Sequence, residues 1–169
     1  MDDDKPKAGH GLGGWKDVRA KTIVAEKVLK SMGAGIIPLP LVDLAVLTKI
    51  QMDMLHEFCA LYEADYNEVS GKALISTLTS GLISRGAASL IKSIPGVGTL
   101  IGGVSSAVLF GASTYAMGSV FKKYLTEKGN LAGISLDEAK SFYKSAFEKG
   151  KQVAKDLRDK TRTDKDIEL

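Results

Sequence analysis

The sequence predicts an all-α protein: two helical hairpins broken at Ile-Pro motifs, followed by a C-terminal amphipathic helix. Three observations lead there. Apolar residues recur at three-and-four spacing, with no sustained period-two alternation. Two similar breaks, Gly35-Ile36-Ile37-Pro38-Leu39-Pro40 and Ser93-Ile94-Pro95-Gly96-Val97-Gly98, each separate a pair of apolar stretches. Proline ends a helix by removing an amide donor and by restricting the residue before it, so each break lets two helices fold back on one another. Finally, Ser135 and Glu138 form a capping box ahead of a regular amphipathic stripe.

The first helix is expected from about Trp15 to Met32. Trp15, Val18, Thr22, Ala25, Leu29 and Met32 form its apolar stripe, and Lys16, Arg19, Lys27 and Lys30 lie off it. Gly33 and Gly35 stop it, and Pro38 and Pro40 make the break firm. The second helix opens at Pro40, which suits a first helical position, and runs to about Tyr62 on a face of Leu44, Leu47, Gln51, Leu55, Phe58 and Tyr62. Lys49 and Asp53 are an i,i+4 pair on its surface. After a loop at Glu63 to Tyr66, Asn67 caps a third helix running to about Lys92. Pro95 and Gly96 end that hairpin arm, and a fourth, apolar helix runs from about Thr99 to Leu125. The last helix follows Ser135, with Leu136, Ala139, Phe142, Tyr143, Ala146, Phe147, Val153, Ala154 and Leu157 inward. The domain organisation is thus a disordered arm over 1–14, one helical domain over 15–160 with an apolar Gly-rich hairpin around 73–121, and a disordered tail over 161–169.

Charge is distributed unevenly. Between Ala73 and Phe121 the only charged residues are Arg85 and Lys92, and Ser93 to Phe121 carries none. A helix in a soluble bundle ordinarily keeps a charged stripe, so this stretch is either deeply buried or meets lipid. A net charge of +3 and sparse aromatics do not describe a nucleic-acid-binding protein. The single cysteine, Cys59, fits a reducing compartment, and no apolar run opens the chain, so a secretory signal peptide is not expected.

Small residues recur along the fourth helix. Gly98 and Gly102 are four apart, as are Gly103, Ala107 and Gly111, with Gly118 further on. Because glycine costs a helix about 1 kcal/mol against alanine, such a face implies close backbone packing, either with another copy or within one bundle. Gly111 and Ser113 lie about 200° apart, so a leucine is expected to disturb packing more at 111 than at 113. Asp43, in the first turn after Pro40, offsets the helix dipole more readily than it forms a buried ion site. Arg85 is a cation in an apolar helix, which favours a shallow or re-entrant hairpin over a deep one.

No catalytic, cofactor or metal site is expected. His56 and Cys59 are one turn apart, but the only other histidine is His10, and no third group is evident to orient a nucleophile. Gly96-Val97-Gly98 lacks the Gly-Lys-Ser/Thr ending of a P-loop and follows no strand, which excludes a dinucleotide fold. Lysines of the last helix, among them Lys140, Lys144, Lys149, Lys151 and Lys155, are mixed with acids and read as a solvated face.

The run Gly33 to Asp43, continued by Gln51-Met52-Asp53-Met54 and Leu61-Tyr62, resembles a bacterial domain of unknown function. It is the domain of YcjF-like inner-membrane proteins, also found fused behind Era-like GTPase domains. Ile94-Pro95-Gly96-Val97-Gly98 and the Gly-rich helix after it extend the resemblance over roughly Ala20 to Lys151. The Ile-Pro-Gly-x-Gly style is also similar to EcsC-type proteins. The resemblance implies membrane association and no established catalytic residues. Any GTPase would be a separate polypeptide. The expectation is a non-catalytic membrane-associated protein that forms homo-oligomers or serves a GTPase-type partner, at the cytoplasmic face of the bacterial inner membrane with both ends on that side. The alternative is a cytoplasmic helical scaffold without membrane contact.

Overall fold

In the computed structural model, the chain is described over 11–34, 42–90 and 106–167, with side chains over 14–34, 44–80 and 106–161. Five helices make up the described residues: α1 (Gly11–Ala34), α2 (Val42–Tyr62), α3 (Glu68–Leu90), α4 (Ser106–Lys128) and α5 (Leu136–Ile167). No strand occurs among the described residues, so the fold is all-α. Both Ile-Pro breaks fall outside them.

Capping explains the boundaries. The Asn67 side chain accepts the Ser70 amide at 2.8 Å, as expected for the α3 N-cap. At the start of α5, Ser135 Oγ accepts the Glu138 amide at 3.5 Å, and the Ser135 carbonyl accepts the Ala139 amide at 2.9 Å. Gly129, with φ of 69°, closes α4 by donating its amide to the Leu125 carbonyl at 3.1 Å. Glu63 does the same work after α2 without being glycine: its φ is 57°, and its carboxylate is held by Lys16 at 2.9 Å.

Two helices exceed their expected lengths. α1 begins at Gly11, within the span read as a disordered arm. α5 runs through Ile167, where a polar tail was expected from Thr161. Within α5 the i,i+3 ion pairs of Lys140 with Asp137 and Lys151 with Glu148, and the i,i+4 hydrogen bond from Gln152 to Asp156, support the helix locally.

α4 is the axis of the molecule. It packs against all four other helices, most extensively against α5 and α1. Its buried residues cover most of the helix, leaving the strip of Tyr115, Ser119, Lys122 and Lys123 half-buried: Val108, Gly111, Ala112, Ser113, Thr114, Ala116, Met117, Gly118, Val120, Phe121, Tyr124 and Leu125 are buried. Burial within the bundle therefore accounts for the lack of charge over 106–121. The core around it holds Ile23, Met54, Leu55, Phe58, Ile75, Phe121 and Tyr124. Phe58 and Phe121 meet edge to face at 6.1 Å. Each such side chain contributes about 1.5–3 kcal/mol through burial.

α1 turns a different face inward from the one its large apolar residues predict. Ala20, Ile23, Lys27, Val28 and Ser31 are buried; of the expected stripe Met32 is buried too, whereas Trp15, Val18 and Leu29 are 49%, 63% and 42% exposed. The reason is a second, quieter stripe of smaller residues, and an ion pair that lets a lysine join it. Lys27, 5% exposed, reaches Glu57 of α2 at 2.6 Å. A buried cation is tolerated when it is paired.

Candidate functional site

The small-residue face of α4 is filled from within the chain where it is described. A Cβ on Gly111 would stand 2.8 Å from Met32 Cγ and 3.0 Å from Ala154 Cβ. One on Gly118 would stand 2.6 Å from Val24 Cγ2 and 3.3 Å from Met54 Sδ. Ala107 is half-buried against the small cluster of Val28, Met32, Val108 and Ala154. The face expected to serve assembly is thus, at these positions, the seat of α1, α2 and α5. Gly98, Gly102 and Gly103 lie outside the described residues, as do Pro38, Pro40, Pro95 and Gly96. So do the side chains of Asp43 and Arg85.

Sequence reading missed Gly150. It lies in α5 between two lysines, and a Cβ there would stand 2.8 Å from the carbonyl oxygen of Ala112 and 3.1 Å from Tyr115 Cδ1. The signal was present: Ala139, Tyr143, Ala146, Gly150 and Ala154 advance by three or four residues, and Gly150 is the step that completes the stripe.

A polar layer crosses the core at this level. Gln51 Nε2 donates to Ser113 Oγ at 3.0 Å, and Ser113 Oγ shares a 2.8 Å hydrogen bond with Tyr143 Oη. Desolvation pushes the Tyr143 phenol well above its ordinary range, so it stays neutral and can act as a donor. This corrects the expected contrast between Gly111 and Ser113: Ser113 is fully buried as well, since α4 is enclosed on both sides.

His56 and Cys59 do not form a reactive pair. Cys59 is buried with its thiol directed to the Asp65 carbonyl at 3.9 Å, and burial raises its pKa. His56 is exposed and meets Tyr66 edge-on at 5.1 Å. Among the described residues, no group of three or more His, Cys, Asp or Glu is placed to hold a metal ion.

A concave surface lies beside α1. A groove of about 600 Å³ runs between α1 and α5 over α4, lined by Val24, Ala25, Val28, Tyr115, Phe142 and Val153. It exists because α1 and α5 both rest on α4 and scarcely touch each other. Lys21, Lys122 and Lys123 rim one end. Asp17 bonds both Lys122 and Lys21, the latter at 2.7 Å, and these hydrogen bonds hold its carboxyl down at about 2. Lys123 sits over the Phe142 ring at 4.8 Å. Outward of the groove, Trp15, Val18 and Leu29 stand exposed on α1. Among the described residues, no helix is long and apolar enough to cross a membrane.

Fold and surface together describe a helical bundle packed around a small-residue axis, with three exposed large apolar residues on the outer face of α1 and single ones at Val46, Tyr66, Val69 and Leu136. Residues 12–152 match the family model described as Domain of unknown function (DUF697), and the chain belongs to that family. It is 38% identical over 144 residues to Magnetosome membrane protein 22 of Magnetospirillum gryphiswaldense, a match spanning 82% of this chain and 74% of that protein. No solved structure matches.

Proposed function

We propose that this chain is a non-catalytic, membrane-associated helical protein that serves as an attachment or assembly module. The observation that carries this reading is its likeness, over most of its length, to a relative whose name places that protein in a membrane. The geometry supports it in two ways. Among the described residues no group of three or more His, Cys, Asp or Glu is placed to hold a metal ion, and the exterior of α1 presents Trp15, Val18 and Leu29 along one line of exposed apolar surface. Attachment at the surface of a bilayer suits a bundle whose described helices do not span one.

The finer reading follows the YcjF-like resemblance: residence at the cytoplasmic face of a bacterial inner membrane, self-assembly, and service to a separate GTPase-type partner. Self-assembly would use a surface other than Gly111 and Gly118, which the chain's own helices occupy. Fractionation of cells making the chain at native abundance tests the proposal. Recovery with the membrane pellet supports it. Recovery as a monomer in the supernatant favours the cytoplasmic scaffold instead.

A further inference from the structure

We propose that the outward stripe of α1 is the membrane-docking surface, lying in the interface of an anionic bilayer; this rests on the membrane-associated reading above. Trp15, Val18, Thr22, Ala25 and Leu29 fall within an arc of about 80° on α1. That arc faces away from the core side formed by Ala20, Ile23, Lys27 and Ser31. Trp15, Val18 and Leu29 are 49%, 63% and 42% exposed, so the bundle leaves this stripe uncovered along most of the helix.

Charge selects the occupant. Arg19 and Lys30 border the stripe on one side, with Glu26 the acid nearest it there, while Lys21 on the other side is paired with Asp17. Arg19 and Lys30 make no ion pair with any described residue, which leaves their charges available to lipid phosphates. An apolar line with unpaired cations along one border and a tryptophan near one end is the pattern of a helix lying in the plane of a membrane surface. A protein partner's apolar groove would ask for the stripe but not for the unpaired Arg19 and Lys30 beside it. The stripe is also too narrow to be enclosed by lipid, since the rest of α1 is committed to the core. It therefore fits insertion to the depth of the headgroup and upper acyl region.

Vesicle flotation with the full chain tests this, using vesicles of phosphatidylglycerol and phosphatidylcholine against phosphatidylcholine alone. The unaltered chain should float with the anionic vesicles, and less so as salt is raised. Val18→Glu and Leu29→Glu should each lower the bound fraction on the order of tenfold. Val46→Glu, at a 39% exposed apolar position on α2, should leave it unchanged. Thermal melts of all three variants check that the bundle is intact, as expected for exposed positions. If the unaltered chain floats and both stripe variants float equally well, the stripe is not the docking surface, although the membrane reading stands. If the unaltered chain does not float with either vesicle, both fail. If the stripe variants change oligomer size rather than flotation, the stripe is a contact between copies, and the proposal is wrong.

Discussion

Gly150 of α5 lies against the main chain of α4 so closely that a Cβ there would stand 2.8 Å from the Ala112 carbonyl oxygen. Main chain cannot swing aside as a flexible side chain can. Gly150→Ala should therefore destabilise the fold by about 1–3 kcal/mol, although alanine is the better helix former by about 1 kcal/mol. Gly14→Ala is the control: it meets nothing within 4 Å and should stabilise by roughly 0.5–1 kcal/mol. Chemical denaturation of both variants checks the opposite signs.

The Gln51, Ser113 and Tyr143 layer gives a second test. Ser113→Ala strips both Gln51 Nε2 and Tyr143 Oη of their partner inside the core, and should cost about 1–3 kcal/mol. Tyr143→Phe removes the phenol and leaves the bond between Gln51 and Ser113, so about 0.5–1.5 kcal/mol is expected. Equal losses from the two variants would show that Ser113 does not bridge the layer.

Lys27 and Glu57 make a third. Glu57→Ala leaves a lysine buried at 5% exposure without its counter-ion and should destabilise by about 1–3 kcal/mol. Lys27→Met replaces the buried cation by an apolar side chain of similar length, and should be neutral or stabilising. Urea melts of the two single variants suffice to distinguish them.

Asp17 predicts a pH dependence. Hydrogen bonds from Lys122 and Lys21 lower its pKa from an ordinary 3.8 to about 2. A carboxylate depressed in the folded state stabilises fully above its unfolded pKa, and that contribution is lost as pH falls through the folded one. The stability difference between the unaltered chain and Asp17→Asn should be constant above about pH 4 and should vanish between about pH 4 and 2. Carbon-detected NMR titration of the carboxyl should find its midpoint near the lower end of that window.

These residues also show which parts of the molecule the sequence reveals. α2 was legible because its stripe has no rival: Leu47, Gln51, Leu55 and Phe58 are all buried as their spacing predicts. The Asn67 and Ser135 caps were legible because they depend on local chemistry alone. α1 was not, because it carries two apolar stripes, and the one with the bulkier side chains is outside. Only the distant Glu57 makes Lys27 an inward residue, and no local pattern records a partner thirty positions away. Of the candidate site, Gly111 and Gly118 were recognised as packing positions, but which helices fill them depends on the path of α1 and α5 over α4. Gly150 escaped notice because flanking lysines disguise a core position.

The most direct measurement of the account uses Trp15, the chain's one tryptophan, whose emission reports the α1 stripe alone. Anionic vesicles are added to the purified chain, and its fluorescence is recorded with and without bromine-labelled acyl chains. Docking through α1 predicts a shift of the emission to shorter wavelength and quenching by bromines placed shallowly in the chains. Emission that stays at its solvent-exposed wavelength and is not quenched, at lipid concentrations where flotation shows the protein bound, would contradict it.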